Sequence, residues 1–426
     1  MLKRISHLMF YLFFLLSSLG HICADEPSDT SPFSPLTLAQ CYTLALRQSE
    51  DLAVNQEKIT EAQARFQQAL STILPRISFS SSDKWQDVNS GSSLLRKTPE
   101  VKFTFSQPLF TGFKELAAMA GARAQKRQRE YELMRAKELL FLDVTDAFYL
   151  FELYQEDTKI LNKTRQALCE RIEELKKRAA LGKSRASEVV SAQVRLKRLE
   201  AELESNSNQF IVVQELLEFL TGIRVNAVRE EDIAVIDALP EGEIIKKAQS
   251  RSDVKAAEEV FLKTQKDLLA AKAGFFPTVS LDGNQYLQRA GSSKDIDWDV
   301  TLKVAVPLFK GGENIANWKE AAAKSAAEEL NLKGLKRKAV LEIKRAADNW
   351  QSSLKKKALL NDALAAGEEN YRLQSEDYRL NVVNNLDVLD ALSELEDTHR
   401  DYISAQNESK RLYWQYQVAI GETVGK

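Results

Sequence analysis

A long internal repeat constrains this chain more than any other feature of its sequence. The phrase VKFTFSQPLFTGF returns almost two hundred positions later as DVTLKVAVPLFKGG. Pro108 and Pro307 are 199 positions apart (307 − 108), and Gly222 and Gly421 have the same separation (421 − 222). That period is far longer than the ~20–50 residues of a solenoid unit. We therefore expect a duplicated domain.

The expected division of the chain follows from this period. Repeat 1 covers 36–222, a linker covers 223–242, repeat 2 covers 243–421, and a short tail covers 422–426. The 9 prolines leave 109–239 and 308–426 free of proline, and both stretches are rich in Ala, Leu, Glu, Lys and Arg. Because proline breaks helix interiors and these residues favour helix, each stretch should contain one very long helix.

Periodicity sets the expected helix bounds. We expect long helices over about 114–180 and 313–379, each roughly 100 Å long. Shorter helices are expected over about 37–72, 187–220, 243–273 and 386–420. Phe151 and Trp350 are again 199 positions apart (350 − 151), so both repeats should bury a large aromatic residue at the same level.

Between its first short helix and its long helix, each repeat changes to a period of two. Val101, Phe103 and Phe105 alternate with polar residues, and so do the apolar residues from Ile296 to Val306. Strict alternation predicts strands. Each repeat should therefore contain one β-hairpin, at about 76–108 and 278–307.

The apolar faces of these strands have no evident protein cover, because the long helices lead away from them. A membrane strand needs about 9–11 residues, with apolar side chains toward lipid. In that setting Asp297, Asp299 and Lys303 would face a watery lumen. Four strands cannot close a barrel, and open edges are not tolerated in lipid, so the chain should assemble with other copies, and three copies would give a tube of twelve strands. Packing of the hairpins on a soluble helical protein stays open as the alternative.

The N-terminus is typical of a secreted chain. Lys3 and Arg4 precede the apolar run Met9–Leu16, and a cleavage point is expected after Ala24. The signal peptide would then be 1–24, followed by a linker at 25–35. Cys23 raises the question of lipidation, which the sequence leaves open.

The remaining composition argues against several classes of function. A formal net charge of −2 is unlike that of a nucleic-acid-binding protein. After cleavage only Cys41, Cys169 and His399 remain of their types, which is too few for a cluster of metal ligands. No phosphate loop, nucleophile elbow or catalytic constellation is visible. We expect no enzyme activity, cofactor, metal or nucleic-acid partner.

Several segments, taken in order, resemble the TolC-like outer-membrane efflux proteins from about Leu36 to Gly421. They are LTLAQCYTLALRQSEDL, ALSTILPRISFS, the two Pro-Leu-Phe phrases, LGKSRASEVVSAQ and LNVVNNLDVLDAL. The resemblance implies a mainly α fold in which a long antiparallel helical barrel continues into a 12-stranded β-barrel. A homotrimer shares that barrel, with four strands from each chain in outer-membrane lipid.

The same resemblance implies a function. The trimer would be the passive exit duct of a tripartite efflux or type I secretion system, with its helices in the periplasm. An inner-membrane pump would deliver substrate through a periplasmic adaptor protein. A soluble periplasmic coiled-coil scaffold or adhesin-like interaction protein, with the hairpins as docking arms, is the alternative. The sequence specifies neither the exported substrate nor the partner pump.

The turns between long and short helices are where the resemblance places adaptor docking. The residues concerned are Gly182, Lys183, Ser184, Asn381, Val382 and Val383. Gly182 suits a left-handed C-cap, and Ser184 is expected to cap the next helix. Asn381 stands in the place of that glycine, so we expect the second turn to differ in shape.

Acidic residues follow the second turn. Asp387 and Asp390 are three positions apart and so share a helix face. The resemblance places both at an acidic pore constriction, with Glu188 at an acidic position of repeat 1. An ordinary cap, Asn385 followed by Asp387, would also explain this pattern, and the two roles are compatible.

The resemblance also implies a gate. Tyr378 matches a tyrosine that helps to hold the entrance closed through neighbouring helices, one of them near Ser187. Val383 stands where some members of the family carry a basic residue. The closed state would then be held by fewer bonds, and the detail of gating stays open.

Overall fold

The computed structural model describes residues 35–87, 97–230, 239–291 and 293–423. The predicted signal peptide, Cys23 and the linker at 25–35, apart from its last residue, lie outside these ranges. Repeat 1 contains α1 (Leu38–Gln48), α2 (Glu50–Ser71), β1 (Arg76–Trp85), β2 (Lys97–Phe110), α3 (Lys114–Ala180) and α4 (Ala186–Thr221). Repeat 2 contains α5 (Glu241–Ser250), α6 (Ser252–Lys272), β3 (Thr278–Arg289), β4 (Trp298–Ala305), α7 (Glu313–Arg379) and α8 (Asn385–Ala419).

Helices α3 and α7 are the longest elements. Each has 67 residues, which corresponds to about 100 Å, and each occupies one of the proline-free stretches. Both begin after two residues in the left-handed conformation, Gly112 and Phe113 in repeat 1 and Gly311 and Gly312 in repeat 2. The chain therefore turns sharply from strand into helix at the same point of each repeat.

The first helix of each repeat is broken in two, contrary to the expectation of single helices over 37–72 and 243–273. Ser49 ends α1 and begins α2, and its hydroxyl accepts a hydrogen bond from the Leu52 N–H at 3.3 Å. Arg251 occupies the break between α5 and α6, with an extended backbone. A serine followed by two acidic residues is a good start for a new helix, and that signal overrides the continuous apolar pattern.

The four strands form one antiparallel sheet in the order β1-β2-β3-β4. Strand β4 is shorter than the expected Ile296 to Val306, since the ladder ends at Ala305, two residues before Pro307. Strand β2 instead continues through Pro108 to Phe110 and beyond the expected end of its hairpin. A shift of register at Pro108 accommodates the proline, which has no N–H to donate.

Three apolar clusters form the core of the helical part. One surrounds Phe148 and Phe151 of α3, a second surrounds Trp350 of α7, and a third lies near the helix turns around Leu175. Phe151 packs on Phe210 with ring centroids 4.8 Å apart, and Trp350 stacks on Tyr416 at 5.6 Å. The predicted burial of a large aromatic residue at this position of each repeat is confirmed, since Phe151 and Trp350 are both buried.

Candidate functional site

The two helix turns lie together at the end of the molecule that is remote from the sheet, and they share one backbone geometry. Gly182 (φ 71°) and Asn381 (φ 59°) are both left-handed. The Lys183 N–H donates to the Arg178 carbonyl, and the Val382 N–H donates to the Asp377 carbonyl, both at 2.9 Å. These are the bonds of a Schellman motif. The expectation that Asn381 changes the shape of its turn is therefore wrong, because asparagine also enters the left-handed region.

The caps that follow the turns do differ. Arg185 is the N-cap of α4 and makes no side-chain capping bond. Ser184 does not cap this helix as expected, since its hydroxyl donates to Glu188 Oε2 at 2.7 Å. Glu188 is thereby held in the first turn of α4.

A capping box begins α8. The Asn384 side chain accepts from the N–H groups of Leu386 and Asp387, at 2.7 and 3.2 Å. Asp387 Oδ2 accepts in return from the Asn384 N–H at 3.1 Å. The expected cap, Asn385, is instead the first residue of the helix and is buried. Asp387 therefore has the capping role that the sequence left open, whatever its role toward a pore.

Tyr378 is buried between two arginines of α3. The Arg171 guanidinium lies 3.7 Å from the centroid of its ring, and that of Arg178 lies 4.4 Å away. Arg171 Nε also donates to Asn385 Oδ1 at 2.8 Å, and Arg178 Nη2 donates to Asn381 Oδ1 at 2.7 Å. Cation–π contacts and hydrogen bonds together fasten the second turn to α3. Ser187 lies exposed in the first turn of α4, apart from this stack of rings and guanidiniums.

Asp390 is exposed and has an arginine partner from repeat 1. The Arg195 Nη2 donates to Asp390 Oδ1, and its Nη1 donates to the Leu389 carbonyl at 2.9 Å. Sequence analysis missed Arg195, Arg171 and Arg178. Each of them belongs to repeat 1 and contacts a residue of repeat 2, so no local pattern identifies it.

An acidic groove of about 670 Å³ lies between α4 and α8 above the turns. Glu202, Asp390 and Glu396 are among its lining residues. Burial, with the charge of Glu202, raises the pKa of Glu396 to about 7. Arg400 crosses toward α3 and donates to Asp157 Oδ1 at 2.6 Å.

Ion pairs continue along the seam between α3 and α8. Asp146 accepts from Arg411 at 2.8 Å, and Glu152 lies 3.4 Å from Lys410. The acids lie on α3 and the bases on α8, as with Asp157 and Arg400. This arrangement joins repeat 1 to repeat 2 between Arg400 and Arg411 of α8.

At the other end of the molecule, the sheet has two chemically different faces. One face carries exposed apolar residues of all four strands, namely Ile77, Phe79, Phe103, Phe105, Leu287, Trp298, Val300, Leu302 and Val304. The opposite face is linked by polar contacts across the strands. Thr104 contacts Asn284 at 2.9 Å, and Asp299 accepts from Asn284 at 2.7 Å and from the Tyr286 hydroxyl at 2.8 Å.

The expected lumen residues divide between this face and the preceding turn. Asp299 and Lys303 belong to the polar face, where Lys303 pairs with Ser280 across the ladder. Asp297 precedes β4, and its carbonyl accepts from the Tyr286 N–H at 2.8 Å. The sheet thus has the alternation that the sequence predicted, over a shorter β4.

Other kinds of site are scarce within the described ranges. These residues contain no group of three or more His, Cys, Asp or Glu that could hold a metal ion. Burial raises the pKa of the Cys41 thiol to about 12, which leaves it unreactive, and Cys169 is exposed and unpaired. None of the described helices is at once long enough and apolar enough to cross a membrane.

Comparison with known proteins identifies relatives of similar length. Residues 41–222 and 245–421 match the outer membrane efflux protein family. The chain is 21% identical over 366 residues to the outer membrane protein TolC of Vibrio cholerae, covering 82% of this chain and 83% of that protein. It is 22% identical over 365 residues to the cation efflux system protein CusC of Escherichia coli, covering 82% and 77%.

Solved structures show the same fold. The channel protein CusC superposes with a TM-score of 0.83 at 17% identity, over 94% of this chain and 99% of that one. The outer membrane protein VceC of Vibrio cholerae superposes with a TM-score of 0.80 at 20% identity, over 90% and 96%. The comparisons favour the channel over the coiled-coil scaffold that the sequence left open.

Proposed function

This chain belongs to the outer membrane efflux protein family, and we propose that three copies of it form the exit duct of a tripartite efflux or type I secretion system. The sheet lies in the outer membrane, and the helices run through the periplasm toward an adaptor protein and an inner-membrane pump. The duct is a passive conduit, so the pump supplies the energy and most of the choice of substrate.

The observation that carries this proposal is the sheet, which has two chemically different faces and, within the described residues, two free edges. Its exposed apolar face would be costly in water, at about 25 cal/mol per Å², and lipid would cover it. Its polar face is already hydrogen-bonded across the strands and suits a watery lumen. The edges, β1 and β4, need partners in lipid, which a ring of twelve strands provides.

The two turns at the far end are the proposed docking surface for the adaptor. This surface comprises Gly182, Lys183, Ser184, Asn381, Val382 and Val383. Leu181 and Val382 are both largely exposed there, so each turn presents an apolar side chain. A Cβ atom at Gly182 would meet nothing within 4 Å, which leaves room for a partner against the backbone.

The proposed pore constriction consists of Asp387, Asp390 and Glu188 from each copy. Three copies would bring six aspartates together at the mouth, a ring that attracts cations and repels anions. Arg195 reduces the negative charge of this ring, because it forms an ion pair with Asp390 in each copy. The ring itself stays negative, since Asp387 has no arginine partner among the described residues.

The proposed gate combines Tyr378 and Ser187. Tyr378 holds the α7–α8 turn on α3 through Arg171 and Arg178, which keeps the turn of the second repeat at the mouth. Ser187, exposed in the first turn of α4, would meet the adjacent helix in the assembled entrance. Loss of the contacts between Tyr378 and the two arginines would let the second turn move away from the axis of the trimer.

Single-channel recording in a planar bilayer tests the duct and its mouth. The wild-type protein should conduct and prefer cations. The double variant Asp387→Asn, Asp390→Asn should have a severalfold lower ratio of cation to anion permeability, whereas Arg195→Ala should raise this ratio. Glu408→Gln, an exposed acid on α8 far from the turns, serves as the matched control. Absence of any conductance would overturn the duct, and unchanged selectivity in the double variant would overturn the constriction alone.

A further inference from the structure

The two hairpins of the sheet repeat each other down to their register. Strand β1 corresponds to β3 with an offset of 202 positions, and β2 corresponds to β4 with an offset of 199. Under these offsets the pair Ile77 and Phe105 becomes Val279 (279 − 77) and Val304 (304 − 105), and both pairs are present in the sheet. The duplication therefore transfers strand pairing from one repeat to the other residue by residue.

The second part of this pattern is the strand pairing between the two hairpins, which we call the joint. There the second strand of repeat 1, β2, pairs with the first strand of repeat 2, β3, and places Thr104 opposite Asn284. Strand β4 is likewise a second strand, and β1 is a first strand. Both carry the free edges of the sheet within the described residues.

We propose that β4 of one copy pairs with β1 of the next copy in the register of the β2–β3 joint. Applying the offsets to Thr104 and Asn284 places Lys303 opposite Ser82 of the next copy, and the same offsets place Val304 opposite Ser81. The inference rests on the proposed assembly of three copies and adds the residue-by-residue joint between them.

Burial of the helices supports the same joint. Helix α3 packs against helices of both repeats, whereas α7 packs mainly against helices of its own. Leu359 of α7 is 71% exposed, but its counterpart Ile160 (359 − 160 = 199) is only 6% exposed. Phe219 of α4 is 74% exposed, but its counterpart Val418 (418 − 219 = 199) is 1% exposed. A second copy placed by the same rule would cover the exposed member of each pair.

Charge complementarity at the helix breaks gives an independent indication. At the inner joint, the Ser252 hydroxyl donates to Glu138 Oε1 at 2.7 Å. Adding 199 to Glu138 gives Arg337 of α7 (337 − 138 = 199). Subtracting 202 from Ser252 gives Glu50 of the next copy (252 − 50 = 202). Both are exposed, and neither forms a salt bridge within the described ranges. Two unpaired charges of opposite sign thus occupy the positions that the joint brings together.

Disulfide cross-linking tests the register. In a background whose native cysteines are replaced, Lys303→Cys with Ser82→Cys should give covalent dimers and trimers under mild oxidation. Within one chain these residues lie on opposite edge strands, which are about 14 Å apart across the sheet, and they are also displaced along the strands, so the bridge can form only between copies. Lys303→Cys with Ser80→Cys is the matched control on the same face. It displaces the thiols by two residues, beyond the reach of a disulfide, and should give roughly tenfold less product.

The outcomes separate this inference from the proposed function. More product from the Ser80→Cys control would overturn the register while leaving a trimer intact. No product from either pair in a protein with the mass of three chains would overturn the joint alone. No product from a protein with the mass of one chain would overturn both. As a second test, Arg337→Glu should lower the temperature at which the trimer dissociates, and adding Glu50→Arg should restore it. Failure of that rescue contradicts the placement of the helices.

Discussion

The strand-to-helix hinges of the two repeats, at Gly112 and Gly311, have the same backbone conformation but different surroundings. Gly112 and Gly311 are both left-handed, as are the residues that follow them, Phe113 and Gly312. A Cβ atom at Gly112 would lie 2.8 Å from the Ala273 carbonyl oxygen and 2.9 Å from Phe276 Cβ. A Cβ atom at Gly311 would meet nothing within 4 Å.

The difference comes from the residues that surround each hinge rather than from the sequence of the hinge itself. Strand β2 is central, so the first hinge is pressed between the two repeats, whereas β4 is an edge and the second hinge opens outward. Phe113 tolerates the left-handed region with its ring packed on Phe110, at 5.2 Å between centroids. Duplication thus gave the chain one hinge that is surrounded by its own residues and one that is open.

The first prediction compares alanine at the two hinges. Gly112→Ala adds backbone strain and a clash with Ala273 and should cost about 3 kcal/mol of unfolding free energy. Gly311→Ala adds the strain alone and should cost about 1 kcal/mol. Thermal unfolding in detergent measures both. Equal losses would mean that the second hinge is as tightly surrounded as the first.

The two helix breaks provide the second prediction. Arg251 is buried and bridges Asp253 and Glu342 at 2.7 and 2.8 Å, so Arg251→Ala leaves two carboxylates without their partner. We expect a loss of roughly 2 kcal/mol, moderated by the partial exposure of the acids. Ser49→Ala removes only a cap and should cost about 1 kcal/mol. A smaller loss for Arg251→Ala than for Ser49→Ala in denaturant unfolding would contradict this order.

The third prediction compares the two turns, of which only the second is fastened to α3 by an aromatic stack. Arg171→Ala removes a cation–π contact and the bond to Asn385, together about 1–2 kcal/mol. The entrance should open more readily, with a higher mean single-channel conductance. Arg372→Ala, whose partners Glu369 and Glu376 lie on its own helix, is the control and should leave conductance unchanged. The same conductance in both variants would remove Arg171 from the gate.

The smallest expected effect concerns pH at the seam between the repeats. Burial and the charge of Glu202 raise the pKa of Glu396 to about 7 from its ordinary value of 4.5, so the folded chain holds this proton more tightly than the unfolded chain does. Stability should therefore rise as the pH falls from about 7 toward 4.5. Glu396→Gln should remove roughly 1 kcal/mol of that dependence, a figure reduced for solvent screening. Melting curves at pH 5 and pH 8 that keep their difference in the variant would contradict the assignment.

The sequence was sufficient for features that depend on local pattern. Proline-free stretches marked α3 and α7, and strict alternation marked the strands around Phe103 and Val300. Both signals act over a few residues, so neighbouring segments do not alter them. The family resemblance then supplied the expected adaptor and pump and the roles of the candidate residues at the turns, which no pattern in the chain provides.

Features that depend on contacts between distant segments could not be obtained in this way. Arg195 meets Asp390 and Arg171 meets Tyr378 only because α3, α4, α7 and α8 converge at one end. The break at Ser49 was missed for the opposite reason, since a continuous apolar pattern concealed a local cap. The cap at Asn384 rather than Asn385 shows that a boundary is uncertain by one residue until the backbone is known.

The mass of the mature protein, extracted from outer membranes in mild detergent and corrected for bound detergent, tests the central claim most directly. A mass of three chains is the predicted result, because the free edges β1 and β4 then close a shared barrel. A single chain that stays in solution without detergent would contradict it, since the apolar face of the sheet would then be covered by the protein itself.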